Sequence, residues 1–269
     1  MIVHTRRGTG PPLVLIHALG TDRHMWDPVL DRLAEQRDVI AIDMPGFGQS
    51  PPLTSGRRHD APAWREDTLI PDGRATPSAL ARAVHAHLLA LGVERPHVAG
   101  NSLGGWVALE LALAGQASSV TAIAPAGLWA QPLMPKRSTA RLIARALRPA
   151  LPALLRIERG RRAALGTTLA RPERVPYDAA LALVRAYADA PGFEPVNAGM
   201  RAGRFDGLER IRVPLTLAWP EFDRLVARPN TVPATAREVV LRGCGHMPTW
   251  DDPEQVAAVL LAGSQSPAP

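Results

Sequence analysis

Ser102 stands in Gly100-Asn101-Ser102-Leu103-Gly104, a G-x-S-x-G pattern between a short apolar run, His97-Val98-Ala99, and the apolar stretch LGGWVALELALA. A serine hydroxyl is a weak nucleophile until a base takes its proton and a carboxylate fixes the base's tautomer and offsets its charge. Downstream, Asp223 in WPEFD and His246 in GCGH supply those residue types, with Glu221 as a second acid beside Asp223. The glycines have a mechanical purpose. A serine forced into a sharp strand-to-helix turn needs neighbours two residues away with no side chain to collide with the turn. Such a turn exposes the hydroxyl at the end of a sheet and aims the Leu103 amide, at a helix start, towards any oxyanion formed there.

These groups must be delivered to one edge, and the hydrophobic pattern supplies the means. Residues 13–16 and 39–42 are continuous apolar runs of the kind expected of buried parallel strands, separated by a helix that Asp27 caps and Pro28 begins. Residues 50–75 are rich in proline, glycine and charge and read as a long loop. Thr76 then caps a second helix whose buried stripe is Leu80, Val84, Leu88 and Leu91, stopped by Gly92. Residues 97–99, 120–124, 215–218 and 238–241 complete the strands. Ser102, Asp223 and His246 each follow one, which is the edge where open αβ sheets build sites. A last helix opens at Asp252-Pro253 and carries Val256, Val259 and Leu260. The tail SQSPAP is expected to be disordered.

Between strands five and six the αβ rhythm breaks. Residues 126–210 carry arginine-rich and Ala/Leu-rich helical stretches interrupted by prolines, which implies an inserted helical cap on a core made of residues 1–125 and 211–269. From Lys136 to Arg174 there are eleven basic residues and two acidic ones, Glu158 and Glu173, a local excess larger than the whole-chain net charge of +6. Residues 142, 143, 146 and 147 against Arg141, Arg145 and Arg148 form a basic amphipathic helix. Its apolar face is expected to pack on the core, with a membrane surface or anionic substrates as the competing use of the cations.

Composition excludes several classes. Apolar residues make up 46 % and charged ones 21 %, ordinary for a globular chain of 269 residues. Cys244 is the only cysteine, so neither an intrachain disulfide nor a thiolate metal site is open to the chain. His85 and His87 are two apart on a helix, point to different sides and read as exposed surface histidines, not a metal pair. No nucleic-acid motif, secretory leader or membrane-length apolar run is evident. The expectation is a cytoplasmic protein with a small-molecule substrate, no cofactor and no stable membrane insertion; the oligomeric state is open.

Five motifs in order, LVLIHALG, AIDMPGFGQS, GNSLGG, WPEFD and GCGHMPTWDDPEQ, resemble the α/β-hydrolase superfamily in its cap-containing branch, across nearly the whole length except the cap. The resemblance implies a mostly parallel sheet flanked by helices, with Ser102 as nucleophile, His246 as general base and then acid, and Asp223 as the acid, its spacing preferred over that of Glu221. The backbone amides of Leu19 and Leu103 would form the oxyanion hole, and His17 would shape its loop. Ala18 and Pro220 stand where the family usually has glycine, which puts the loop angle and the turn to Asp223 in question. Two of the family's relatives, haloalkane dehalogenases and epoxide hydrolases, use an aspartate where this chain has Ser102, so their reactions are disfavoured.

The implied activity is ester hydrolysis through an acyl-enzyme. Trp250, four residues after His246, also resembles enzymes that hydrolyse a carbon–carbon bond of ring-fission diketones. A homologue that binds a ligand and hardly turns over is the reading from another class. Trp129, Leu133, Met134 and Trp250 are candidate pocket residues, with cap core as the alternative for the first three.

Overall fold

Seven strands order as β1-β3-β2-β4-β5-β6-β7 in one sheet. They are β1 (His4–Arg7), β2 (Pro12–Ile16), β3 (Asp38–Ile42), β4 (His97–Asn101), β5 (Ser119–Ile123), β6 (Leu215–Pro220) and β7 (Arg237–Leu241). This computed structural model describes residues 1–53, 74–136 and 138–265, so most of the proline-rich loop read at residues 50–75, and residues 266–269 of the tail, lie outside the described residues. Ser264, the first residue of that tail, is buried and held by Arg37, which differs from the expected disorder. All neighbours pair in parallel except β1, which runs antiparallel to β3 with His4 opposite Ile42. The sequence HTRR gave no apolar signal for β1, because an edge strand half open to water needs none.

The period-two alternation of the strands decides which helix layer each residue meets. Val14, Ile16, Ile40 and Ile42 face one way, into a cluster with Leu80, Val84 and Leu88 of α2 (Pro77–Ala90) and Val107 and Leu111 of α3 (Leu103–Leu113). Leu13, Leu15, Val39 and Ala41 face the other way, onto Val29 and Leu33 of α1 (Asp27–Ala34) and Val256 and Leu260 of α9 (Pro253–Gly263). Each such aliphatic side chain, fully buried, contributes roughly 1.5–3 kcal/mol relative to leaving it exposed. α3 is apolar all round because it is covered on nearly every side, from Leu103 through Ala112.

Helix starts largely follow their sequence signals. Thr76 Oγ1 accepts from the Ala79 amide at 3.1 Å, and Asp252 Oδ1 from the Gln255 amide at 2.9 Å. Asp27 differs. A 3-10 turn at Arg23–Trp26, capped by Asp22, precedes α1, so Asp27 is the first helical residue and its carboxylate meets His24 at 3.1 Å instead of capping the helix. His87 also differs from the expected exposed histidine: it is buried, with Nε2 3.1 Å from Nδ1 of His4 on β1, whereas His85 is half-buried.

Between β5 and β6 the chain forms α4 (Thr139–Ala146), α5 (Leu151–Leu154), α6 (Glu158–Leu165), α7 (Tyr177–Asp189) and α8 (Phe193–Ala202). Side chains of this insertion join both core clusters, among them Leu165 and Leu169 on one and Phe193 and Val196 on the other. The amphipathic helix α4 is oriented opposite to expectation. Arg141 is buried, while Leu142 and Ile143 are 57 % and 58 % exposed. The cause lies at the end of α7, where unsatisfied carbonyls attract cations. Arg141 donates to the Tyr187 and Ala190 carbonyls at 3.0 and 2.6 Å, stacks on Phe193, and Arg148 pairs with Asp189 at 3.0 Å.

Candidate active site

The turn between β4 and α3 holds Ser102 at φ 55, ψ −115, a left-handed conformation that costs a non-glycine residue roughly 1–3 kcal/mol. Close packing enforces it. A Cβ on Gly100 would lie 2.1 Å from the Gly104 carbonyl oxygen, and one on Gly104 would lie 2.1 Å from that of Ile16. The Ser102 amide donates to the Ile123 carbonyl at 2.9 Å, and its own carbonyl accepts from Trp106 and Ala126 at 3.1 and 3.0 Å. The turn is thus stitched to β5 and to the start of α3, leaving Ser102 only 7 % exposed beneath the insertion.

His246 and Asp223 meet at this edge. Nδ1 of His246 lies 2.7 Å from Asp223 Oδ2, with both side chains buried. A carboxylate only accepts, so Nδ1 carries the proton and the Nε2 lone pair is left for a partner. Asp223 Oδ1 accepts from the Leu225 and Val226 amides at 2.7 and 3.0 Å. Burial pushes the Asp223 carboxyl up, but the hydrogen bond and charge of His246 and these two amides outweigh it and hold the group below the usual carboxylate range. Glu221, the rival acid, accepts from the Gly243 amide at 2.8 Å. Pro220 ends β6, and the turn that follows still delivers Asp223 to the histidine.

The loop after β2 lies opposite. Its Leu19 amide and the Leu103 amide at the head of α3 have no protein acceptor among the described residues, so both are free to donate. His17 is fully buried and fixes this loop: the Met44 amide donates to its Nε2 at 2.9 Å, so Nδ1 carries the proton and donates to the Ala18 carbonyl at 2.8 Å. Burial pushes its pKa down and keeps it neutral, as a structural hinge post requires. Ala18 is accommodated, its amide directed at the Met25 sulfur at 3.2 Å.

The distance from Ser102 Oγ to His246 Nε2 is not bridged by a hydrogen bond among the described residues; the two are tied through the backbone. Asn101 Nδ2 donates to the carbonyls of Ile123 and His246 at 3.1 and 3.0 Å, so the residue before the serine holds the histidine's own main chain. Catalytic contacts of this kind are often long in a ligand-free protein and tighten with substrate.

A family model described as the alpha/beta hydrolase family matches residues 13–259. The chain belongs to the alpha/beta hydrolase family. Epoxide hydrolase EphH of Mycobacterium tuberculosis is 32 % identical to it over 197 residues, 68 % of this chain and 92 % of that protein. Two solved structures share the fold of this hydrolase. The enol-lactonase from Burkholderia xenovorans LB400 has a TM-score of 0.71 at 20 % identity, covering 97 % of this chain and 95 % of that one. A thermophilic esterase from Thermogutta terrifontis has 0.69 at 21 %, covering 97 % and 92 %.

The candidate pocket residues of this alpha/beta hydrolase lie in different surroundings. Met134 is 80 % exposed. Trp129 and Leu133 are partly buried: Trp129 packs edge-on against Trp106 at 5.8 Å and donates to the Gly203 carbonyl, while the Leu133 amide donates to Arg201. Trp250 packs against the cluster on the α1 and α9 face. The roof over the Leu19 loop is instead made by Tyr187 and Phe193, since a Cβ on Gly20 would lie 2.6 Å from one ring and 3.1 Å from the other.

Two residues that hold the His246 loop carry no sequence signature that singles them out. Asn101 is one. Asp251 is the other: its buried carboxylate accepts from Gly245, beside the histidine, and from Ala170 and Arg171 of the insertion, at 2.8, 3.0 and 2.8 Å. The only hint was a surplus acid, because Asp252 alone suffices to cap α9. Cys244 is passive, its thiol pushed up to about 12 chiefly by burial and then by the charges of Asp251 and Asp252.

Proposed function

We propose that this alpha/beta hydrolase is a serine enzyme that cleaves a carboxylic ester of a small or medium apolar substrate through an acyl-enzyme. The observation that carries the reading is the buried Asp223–His246 pair at 2.7 Å, whose histidine backbone is anchored by the residue next to a strained serine. In this reading Ser102 Oγ attacks the ester carbonyl while His246 Nε2 takes its proton. The free amides of Leu19 and Leu103 receive the oxyanion, His246 returns the proton to the leaving alcohol, and water releases the acid. Residues 126–210 serve as a lid, with Tyr187 and Phe193 against the oxyanion loop. Opening an epoxide by the aspartate route is disfavoured, because serine occupies the elbow here.

A short-chain p-nitrophenyl ester should be turned over by the purified protein, with loss of about 10⁴-fold or more in kcat for Ser102→Ala. Equal turnover by the variant refutes the proposal. Disappearance of a ring-fission dienoate's absorbance without ester turnover would assign carbon–carbon cleavage instead.

A further inference from the structure

The segment from α4 to the turn after α5 carries five large aliphatic side chains on its outside: Leu142, Ile143, Leu147, Leu154 and Ile157. They account for nearly half of the eleven large apolar side chains left exposed among the described residues, within sixteen positions of sequence. Scattered exposed leucines need no explanation, but a set concentrated in one short segment does. The set is not a failed core. The buried side of α4 is already committed through Arg141 to the end of α7, and Leu142 and Ile143 are left 57 % and 58 % exposed.

Charge and shape point to what covers it. Residues 136–162 hold nine basic residues and one acidic one, Glu158, and Lys136, Arg145, Arg156 and Arg159 are exposed around the apolar set. A second copy of the chain would bring the same positive excess against itself. On α4 every residue but Arg141 and Ala144 is exposed, so the helix is a ridge, which fits a yielding flat surface better than it cradles a peptide. Eight residues cannot span a bilayer, whereas a basic amphipathic helix can lie in its interface.

We propose that this face seats the protein peripherally on an anionic lipid bilayer. The aliphatic residues enter the headgroup boundary and the arginines meet lipid phosphates. The helix involved also braces the two rings that lie on Gly20: Arg141 stacks on Phe193, and Ser138 at its N-cap hydrogen-bonds the Tyr187 hydroxyl. Docking therefore brings the lid and the oxyanion loop beneath it close to the lipid.

Flotation of the full chain with vesicles tests this without reference to any activity. Vesicles with one part in three of phosphatidylglycerol in phosphatidylcholine should bind the protein about tenfold or more tightly than phosphatidylcholine alone at low salt, and raising the salt should weaken the binding. Leu142→Gln with Ile143→Gln should lower the affinity about tenfold or more, and Arg145→Glu with Arg159→Glu should lower it and flatten the salt dependence. All four positions are exposed, and circular dichroism would verify that the variants fold. No binding to anionic vesicles, equal binding to neutral ones, or unchanged affinity in the Leu142/Ile143 pair overturns the proposal. So does a dimer in sedimentation equilibrium that the same pair abolishes, which would give the face to a second copy.

Discussion

Replacing Asp251 separates a structural strut from a positioning residue. Its Oδ2 accepts from Ala170 and Gly245 and its Oδ1 from Arg171, so one carboxylate joins the segment between β5 and β6 to the loop of His246. The Met247 amide reinforces the join by donating to the Thr168 carbonyl at 2.9 Å. Hydrogen bonds to a charged acceptor are each worth about 1.5–3 kcal/mol, and a buried amide left without a partner costs about 1–3 kcal/mol. Asp251→Asn keeps two of the three bonds when its oxygen takes the Oδ2 position, and turns an NH₂ towards the Arg171 amide. A loss of about 2 kcal/mol in urea unfolding is expected. Asp251→Ala strands all three amides and should lose about 4–5 kcal/mol, a large part of a typical stability of 5–15 kcal/mol.

The kinetic expectation is separate. With Gly245 released, the imidazole samples positions away from Ser102, and a displacement of about 1 Å can cost up to 10²-fold. Ester turnover by Asp251→Ala, measured where the variant is fully folded, should show kcat down about tenfold with KM within about twofold, since no substrate contact is removed. An unchanged kcat beside the expected stability loss would make Asp251 a strut only. Unchanged stability would refute the hydrogen-bond reasoning itself.

Gly104→Ala should unfold the protein or cost several kcal/mol more than Gly92→Ala, because a Cβ at 104 meets the Ile16 carbonyl while one at 92 meets nothing within 4 Å and bears only the strain of φ 73; similar urea midpoints would contradict this. His87 is held down to about 4 from the ordinary 6.5, first by burial and then by the nearby charge of His4. The unfolded chain therefore binds protons that the folded chain refuses between those values, and stability falls as the pH drops through that window. His87→Gln should flatten that slope by about 1–2 kcal/mol after allowing for solvent screening, and an unaltered pH profile of denaturation would exclude it as a source. Arg141→Leu should cost about 2–4 kcal/mol by leaving the Tyr187 carbonyl without its donor and removing the stronger bond to the Ala190 carbonyl, which keeps only the Phe193 amide at 3.3 Å, measurable as a lowered urea midpoint.

The sheet, the strained turn and the Asp223–His246 pair were legible in the chain because each rests on local rules. Buried parallel strands read as apolar runs, G-x-S-x-G marks a turn with no room for side chains on either side, and Asp223 and His246 announce themselves by following strands. Asn101 and Asp251 were not legible. Their importance comes from which distant carbonyls and amides they reach, and no spacing in the sequence encodes that Gly245 and Ala170 become neighbours. The edge strand β1 was invisible for the opposite reason, having too little burial to need a pattern.

The clearest case of a rule that stops short is α4. Its sequence specifies a two-faced helix but not which face turns inward, and transfer free energy alone favours burying Leu142, Ile143 and Leu147. What decides is the neighbour. The end of α7 presents carbonyls that need a donor, and Arg141 serves them from the buried side of α4, while Arg148, just past the helix, pairs with Asp189 at the surface. An aliphatic face turned inward there would leave the Tyr187 carbonyl unpaired, at about 1–3 kcal/mol, weaken the pairing of Ala190, and send Arg141 to water that solvates it anyway. The exposed apolar ridge follows from that competition, so a helix that looks inverted on its own sequence is correctly placed once the polar needs of α7 are counted.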